Sequence, residues 1–93
     1  MKTHFIKIHP DYFERLTRGE KPFEFRKNDR DYREGDFVVM QECTVKEGTC
    51  FERVIYSGRS CTVVIKDLYD LGKLYPQFDG FVIFTFHVLR FDV

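Results

Sequence analysis

The chain has 93 residues, 17% of them aromatic, with fifteen acidic and fifteen basic side chains and therefore no formal net charge. This length predicts a single domain over residues 1–93, with a core large enough to fold without a metal or disulfides. A neutral chain excludes a surface that is basic overall, so a nucleic acid would bind only at a local basic patch.

The chain begins with a predicted strand and a short helix. Residues 3–8 alternate loosely between apolar and polar side chains, which predicts the first strand. Pro10 suits the first turn of a helix over residues 11–18, since its missing N–H is not needed there. The apolar face of that helix comprises Tyr12, Phe13 and Leu16. Gly19 is expected to end the helix in a left-handed conformation.

Residues 21–27 predict the second strand. Phe23 and Phe25 alternate with Glu24 and Arg26, which is the period of a strand buried on one face. We expect the two phenyl rings to face the core. Glu24 and Arg26 are then expected on the opposite face, roughly 6.5–7 Å apart along the strand.

The remaining chain predicts four further strands and a mainly β fold with some α structure (α+β). A charged loop over residues 28–35 leads into them, and residues 68–76 fit either a helical turn or a packed loop. The four strands are expected over residues 36–42, 51–56, 61–67 and 81–89. Six short strands and one N-terminal helix predict a small closed or nearly closed β-barrel. With eleven phenylalanines, its core is expected to be rich in Phe.

No metal, cofactor or disulfide is predicted. Cys43, Cys50 and Cys61 lack a C-x-x-C spacing, and the three histidines add no zinc-ligand pattern, so reduced thiols are expected. The N-terminus lacks the apolar segment of a secretory signal, and no apolar run reaches the ~18–20 residues of a membrane helix. We therefore expect a cytoplasmic protein without membrane contact.

Gly19, Lys21, Glu24 and Arg26 form the pattern G-x-K-x-x-E-x-R. This pattern resembles the signature of the ASCH (activating signal cointegrator homology) domain, a small β-barrel related to the PUA RNA-binding domain. The similarity extends over most of the chain and looks like that of a bacterial and phage subgroup assigned to RNA binding. It includes R-K-N-D-R-D at residues 26–31, G-D at residues 35–36 and Y-S-G-R at residues 56–59.

The resemblance implies an RNA- or nucleotide-binding module with a cleft between the motif strand and the first helix. Arginine suits such a cleft because its planar guanidinium binds phosphate through two hydrogen bonds. Glu24 is suited to accept hydrogen bonds from a base edge, and Tyr12 and Tyr32 are candidates for base stacking. The candidate binding residues are Gly19, Lys21, Glu24, Arg26, Lys27, Asn28, Arg30, Tyr12 and Tyr32.

Two other functions remain open. Some small ASCH relatives are amidohydrolases that deacylate a modified cytidine, and ribonuclease activity is attributed to the superfamily. In those hydrolases a Thr nucleophile matches the position of Glu24, beside the matching Lys21, so these two residues are the catalytic candidates if the chain is an enzyme. Alternatively, the charged stretch is the docking surface of a protein-interaction module of phage origin, with Glu24 paired to Arg26 or Lys21. A concave pocket favours ligand binding, and a flat, self-paired surface favours the interaction module.

Overall fold

Strands dominate the computed structural model, which describes residues 1–20, 23–47 and 52–92. The strands are β1 (Thr3–Ile8), β2 (Phe23–Lys27), β3 (Phe37–Glu47), β4 (Glu52–Asp70) and β5 (Phe81–Asp92). The helices are α1 (Pro10–Thr17) and the single-turn α2 (Leu71–Leu74), which is followed by a 3-10 turn at Pro76–Phe78. The prediction of a mainly β fold with an N-terminal helix is confirmed.

The five strands form one sheet in the order β1-β3-β4-β5-β2, in which only β1 and β3 run parallel. Within the described residues no ladder joins the two edge strands β1 and β2, so the sheet is not closed into the predicted barrel. A side chain spans the gap instead. Arg26 of β2 donates from Nη2 to the carbonyl oxygen of Lys7 in β1, at 2.6 Å.

The hydrophobic core lies between α1 and one face of the sheet. Its buried aliphatic side chains come from α1 and from the strands β1, β3, β4 and β5. They include Ile6, Ile8, Leu16, Val38, Met40, Val63, Ile65 and Val82. The expectation of a Phe-rich core is wrong. Of the ten phenylalanines within the described residues, only Phe13 and Phe84 are buried.

The helix α1 lies at Pro10–Thr17, one residue before the predicted 11–18 at each end. Pro10 is its first residue, and Asp11 lies in the first turn, where the positive end of the helix dipole favours an acid. Gly19 has a φ of +71°, and the amide of Glu20 donates to the carbonyl of Arg15 at 2.8 Å. This is the Schellman arrangement of a helix C-terminus, which turns the chain towards β2.

The two faces of β2 are the reverse of the prediction. Glu24 is 5% exposed, whereas Phe23 and Phe25 remain 47% and 45% exposed. The alternation itself is correct, but the carboxylate faces inward and the rings face outward.

The register of β2 on β5 explains this reversal. Glu24 lies directly opposite Phe84, and Arg26 lies opposite Val82. Residues that face each other across an antiparallel ladder share one face of the sheet. Since Phe84 and Val82 are buried in the core, Glu24 and Arg26 must point to the same side.

The strands predicted over residues 51–56 and 61–67 are a single long strand, β4. Gly58 has a φ of +92°, and the register of β4 on β3 shifts between Gln41 and Cys43. The segment at residues 57–59 therefore forms a bulge, and the ladder continues on both sides of it. Of the two structures considered for residues 68–76, a helical turn is present, although it begins only after β4 ends at Asp70.

Two of the three cysteines can be compared with the prediction. Cys43 and Cys61 are buried free thiols, as expected, and Cys50 lies outside the described residues. Burial, with a smaller effect from Asp92, raises the pKa of Cys61 to about 11. In the part of the chain that the structure describes, no helix is long and apolar enough to cross a membrane. The same residues contain no cluster of three or more metal-binding side chains.

Candidate functional site

A cleft of about 630 Å³ lies where the two edge strands face each other. One wall consists of the end of β1 with His9, and of Tyr12 and Arg15 from α1. The other wall consists of Glu20, the whole of β2 and Phe81. The cleft therefore occupies the gap in the sheet that a barrel would have closed.

Glu24 and Arg26 connect the two walls. Arg26 donates from Nε to Oε2 of the buried Glu24 at 2.8 Å, and from Nη2 to the carbonyl of Lys7 at 2.6 Å. The Arg26 side chain remains 30% exposed. One guanidinium thus fixes the spacing of β1 and β2 and holds a carboxylate at the inner side of the cleft.

Three further cations line the cleft: Lys7, Arg15 and Lys27. All three are exposed, and none forms an ion pair with any side chain in residues 1–20, 23–47 and 52–92. Arg18 differs, since it pairs with Glu20 at 2.9 Å. The cleft therefore carries positive charge that carboxylates of the described residues do not neutralise.

Exposed aromatic rings also line the cleft. Tyr12 is 54% exposed, and its ring makes an edge contact with His9 at 6.3 Å between centroids. Phe25 stacks on Phe81 with centroids 5.3 Å apart and ring planes within 5° of parallel. The concave site thus combines flat apolar rings with unneutralised cations, the two features needed to bind a base and a phosphate.

A family model described as "Domain of unknown function (DUF3850)" matches residues 3–86. The chain belongs to this family. It is also 34% identical over 71 residues to the "Uncharacterized 12.9 kDa protein in GpA 3'region" of Escherichia phage P2. That match covers 76% of this chain but only 58% of the phage protein, so the chain spans little more than half of its relative. This DUF3850 domain is phage-related.

The structure brings four of the nine candidate residues of the DUF3850 domain into the cleft, and they are Tyr12, Glu24, Arg26 and Lys27. Lys21 lies outside the described residues. Gly19 belongs to the C-terminal turn of α1, and Arg30 is exposed in the charged loop without lining the cleft. Asn28 accepts a hydrogen bond at Oδ1 from the amide of Tyr32, at 2.9 Å, and so shapes that loop.

Tyr32 does not present its ring to a ligand. It is 3% exposed, with ring centroids 4.7 Å from His4 and 5.3 Å from Phe84. Burial raises the pKa of its hydroxyl. Tyr32 was a candidate because it follows the motif by a few residues, but the loop folds its side chain into the core.

Arg59, from the Y-S-G-R stretch, lies in a separate cluster of the DUF3850 domain. It donates to both carboxylate oxygens of Glu42, at 2.9 and 2.7 Å, and to Glu14 of α1 at 2.8 Å. Its guanidinium carbon also lies 4.8 Å from the centroid of the Phe13 ring. The hydrogen bonds from Arg59 hold the pKa of Glu42 below its ordinary value. This arginine therefore fastens α1 to the sheet.

A buried histidine–aspartate pair was not predicted. Nε2 of His4 lies 2.8 Å from Oδ2 of Asp36. The amide of Lys2 donates to Oδ1 of the same carboxylate, and the amide of Arg33 donates to Oδ2. Burial alone would raise the pKa of Asp36, but these hydrogen bonds outweigh it, so the pKa is lowered. The pair ties the start of β1 to the end of the charged loop and lies outside the cleft.

Among the cations of the cleft, Lys7 and Arg15 are the two that sequence reasoning missed. Both left a signal. In β1 the odd-numbered positions are exposed, which puts Lys7 on the outer side of the strand. Arg15 follows Tyr12 by three residues in α1, so the two side chains share one face of the helix.

Proposed function

We propose that this DUF3850 domain is an RNA- or nucleotide-binding module whose site is the cleft between β1, α1 and β2. The observation that carries the proposal is the group of Lys7, Arg15 and Lys27 around one concave site, without ion pairs to the described residues. A phosphate that enters this cleft does not have to displace a carboxylate from these cations. Lys and Arg at such positions supply most of the affinity for nucleic acid.

Glu24 and Arg26 supply the specific part of the proposed site. A carboxylate does not bind phosphate, but it accepts hydrogen bonds from the amino groups of bases. Glu24 lies on the inner side of the cleft and is oriented by Arg26, at 2.8 Å. In the proposed complex the phosphates contact the outer cations, and a base edge approaches Glu24.

The resemblance of G-x-K-x-x-E-x-R to the ASCH signature supports the same proposal, because ASCH domains are related to PUA RNA-binding domains. We propose that the domain is an ASCH-like module in which the sheet stays open. The open seam between β1 and β2 is consistent with that proposal, since there the motif residue Arg26 binds both the motif residue Glu24 and the carbonyl of Lys7 in β1.

A hydrolase is the competing function. The motif position that holds a Thr nucleophile in the hydrolase relatives is Glu24 here, and this carboxylate accepts from Arg26. A carboxylate engaged in this way is better suited to hold a ligand than to take up a proton during a reaction. The third function, a protein-interaction module, fits less well because the cleft is concave and its three outer cations form no ion pair within the described residues.

Salt dependence tests the proposal. Three phosphate contacts predict a slope of about −2 for log affinity against log salt with single-stranded RNA. Between 50 and 200 mM salt, binding of a labelled pool of random RNA should therefore weaken roughly 15- to 20-fold, as measured by fluorescence anisotropy. Replacing Lys7, Arg15 and Lys27 by Gln should flatten the slope and weaken binding at low salt.

The control variant removes the same charge elsewhere: Lys46, Arg53 and Lys66, which are exposed outside the cleft, are replaced by Gln. It should retain most of the binding. Equal losses in both triple variants would mean that overall charge, not the cleft, attracts RNA. Turnover of RNA or of acylated cytidine by the wild type that disappears in Glu24→Gln would establish the hydrolase instead.

A further inference from the structure

We propose that Phe25 and Phe81 form a stacking platform in the cleft for an unpaired nucleobase. This inference rests on the proposed function and deepens it. Phe25 was expected in the core, but the register of β2 on β5 places it outside, where 45% of the residue is exposed.

The geometry of the two rings suits a third ring. Phe25 and Phe81 lie nearly parallel, at 5° and with centroids 5.3 Å apart, while Phe78 meets Phe25 edge-on at 6.3 Å. Both members of the parallel pair line the cleft. A base that stacks on this pair extends an existing stack on a surface that is already ordered. Aromatic side chains on the surface of a sheet bind unpaired bases in this way in other RNA-binding folds.

A cation lies next to this platform on the same face. Side chains alternate along a strand, so Phe23, Phe25 and Lys27 point to one side of β2. Lys27 also lies opposite Phe81 in the ladder. The outer face of β2 therefore presents rings followed by an ammonium group, which matches a nucleotide that places its base on the rings and its phosphate on Lys27.

The charge around the rings favours a nucleic acid over an apolar protein partner. The same cleft carries Lys7 and Arg15 in addition to Lys27, and none of them is ion-paired within the described residues. The core of a protein–protein interface is generally depleted of charged residues, whereas sites for single-stranded nucleic acid combine aromatic rings with a basic groove.

The test compares two end-labelled single-stranded RNAs of equal length. The first carries 2-aminopurine at one position, with normal bases on both sides of it. The second has abasic sites at the same positions. Wild-type protein should bind the intact RNA roughly five-fold tighter or more, since each stacked base contributes affinity on that scale. Emission from 2-aminopurine should fall on binding. Phe25→Leu keeps an apolar side chain but removes the flat ring, so it should erase most of the difference and restore the emission.

Phe5→Leu is the matched control, because Phe5 is 54% exposed on β1 but does not line the cleft. It should leave the affinities for both RNAs unchanged. If Phe25→Leu fails to fold, Phe81→Leu provides the same comparison from the other ring. If wild type binds neither RNA, the proposed function fails and the stacking platform fails with it. If wild type binds both RNAs equally, or Phe25→Leu and Phe5→Leu have the same effect, the phosphate site stands and the platform is refuted.

Discussion

Phe25 and Phe84 lie on neighbouring strands but in opposite environments, so truncating each to Ala measures which face of β2 is buried. Phe84 is fully buried, and removing a buried Phe costs about 3–5 kcal/mol. Phe25 is 45% exposed, so its truncation should remove roughly half of the ~1.5–3 kcal/mol that full burial of such a side chain contributes. Loss of the contact with Phe81 adds about 0.5–1.5 kcal/mol. We therefore expect Phe25→Ala to destabilise the fold by about 2 kcal/mol.

Urea unfolding followed by circular dichroism measures both free energies under the same conditions. Phe5→Ala is a useful third variant, because Phe5 is similarly exposed and should lose no more than Phe25 does. If Phe25→Ala and Phe84→Ala lose equal free energy, Phe25 lies in the core. The register that turns Glu24 inward would then be incorrect, and the proposed site would fail with it.

Two further predictions follow from hydrogen bonds to buried carboxylates. Arg26→Ala should destabilise the fold by about 1.5–3 kcal/mol in urea unfolding, because Glu24 and the Lys7 carbonyl each lose a charged donor. Adding Glu24→Gln should recover part of this loss. A double variant less stable than Arg26→Ala would contradict the role of Arg26 as the partner of the buried carboxylate. The lowered pKa values of Asp36 and Glu42 mean that the unfolded chain binds protons more readily. The free energy of unfolding should therefore hold at neutral pH and decline as pH falls below the ordinary pKa values, 4.5 for Glu42 and 3.8 for Asp36. A flat profile from pH 7 to 2.5 would contradict this prediction.

The sequence predicted the features that neighbouring residues determine. The helix α1 starts at Pro10 and ends before Gly19 because the caps and the apolar face are all local signals. The period of two in β2 was also correct. Such patterns reflect steric rules over a few residues, so they need no knowledge of the rest of the fold.

The side of β2 that faces the core could not be read from the strand alone. Alternation defines two faces without saying which is buried, and hydrophobicity favoured the rings of Phe23 and Phe25. The neighbouring strand β5 determines which face is buried, since Glu24 lies opposite the buried Phe84. A charged pair on the inner face is tolerated because Arg26 donates to Glu24 and to a carbonyl of the facing edge strand.

Contacts between distant parts of the chain were equally out of reach. His4 meets Asp36 across 32 residues, and Arg59 meets Glu14 across 45. No rule based on residue spacing predicts contacts between residues so far apart in the chain. Lys7 joins the candidate site for the same reason: it lies far from β2 in sequence, and only the folding of the sheet brings the two edge strands together.

The seam between β1 and β2 carries the strongest argument for a ligand site. Two edge strands of a sheet are most simply joined by a backbone ladder, which satisfies their amides and carbonyls directly. Here a guanidinium and a buried carboxylate occupy the junction. An ion pair with a buried member is often no more stable than well-packed apolar residues, because the buried charge loses its hydration. Stability alone therefore does not explain Glu24 and Arg26. We infer that the pair holds the seam open, with its carboxylate and three cations facing the cleft.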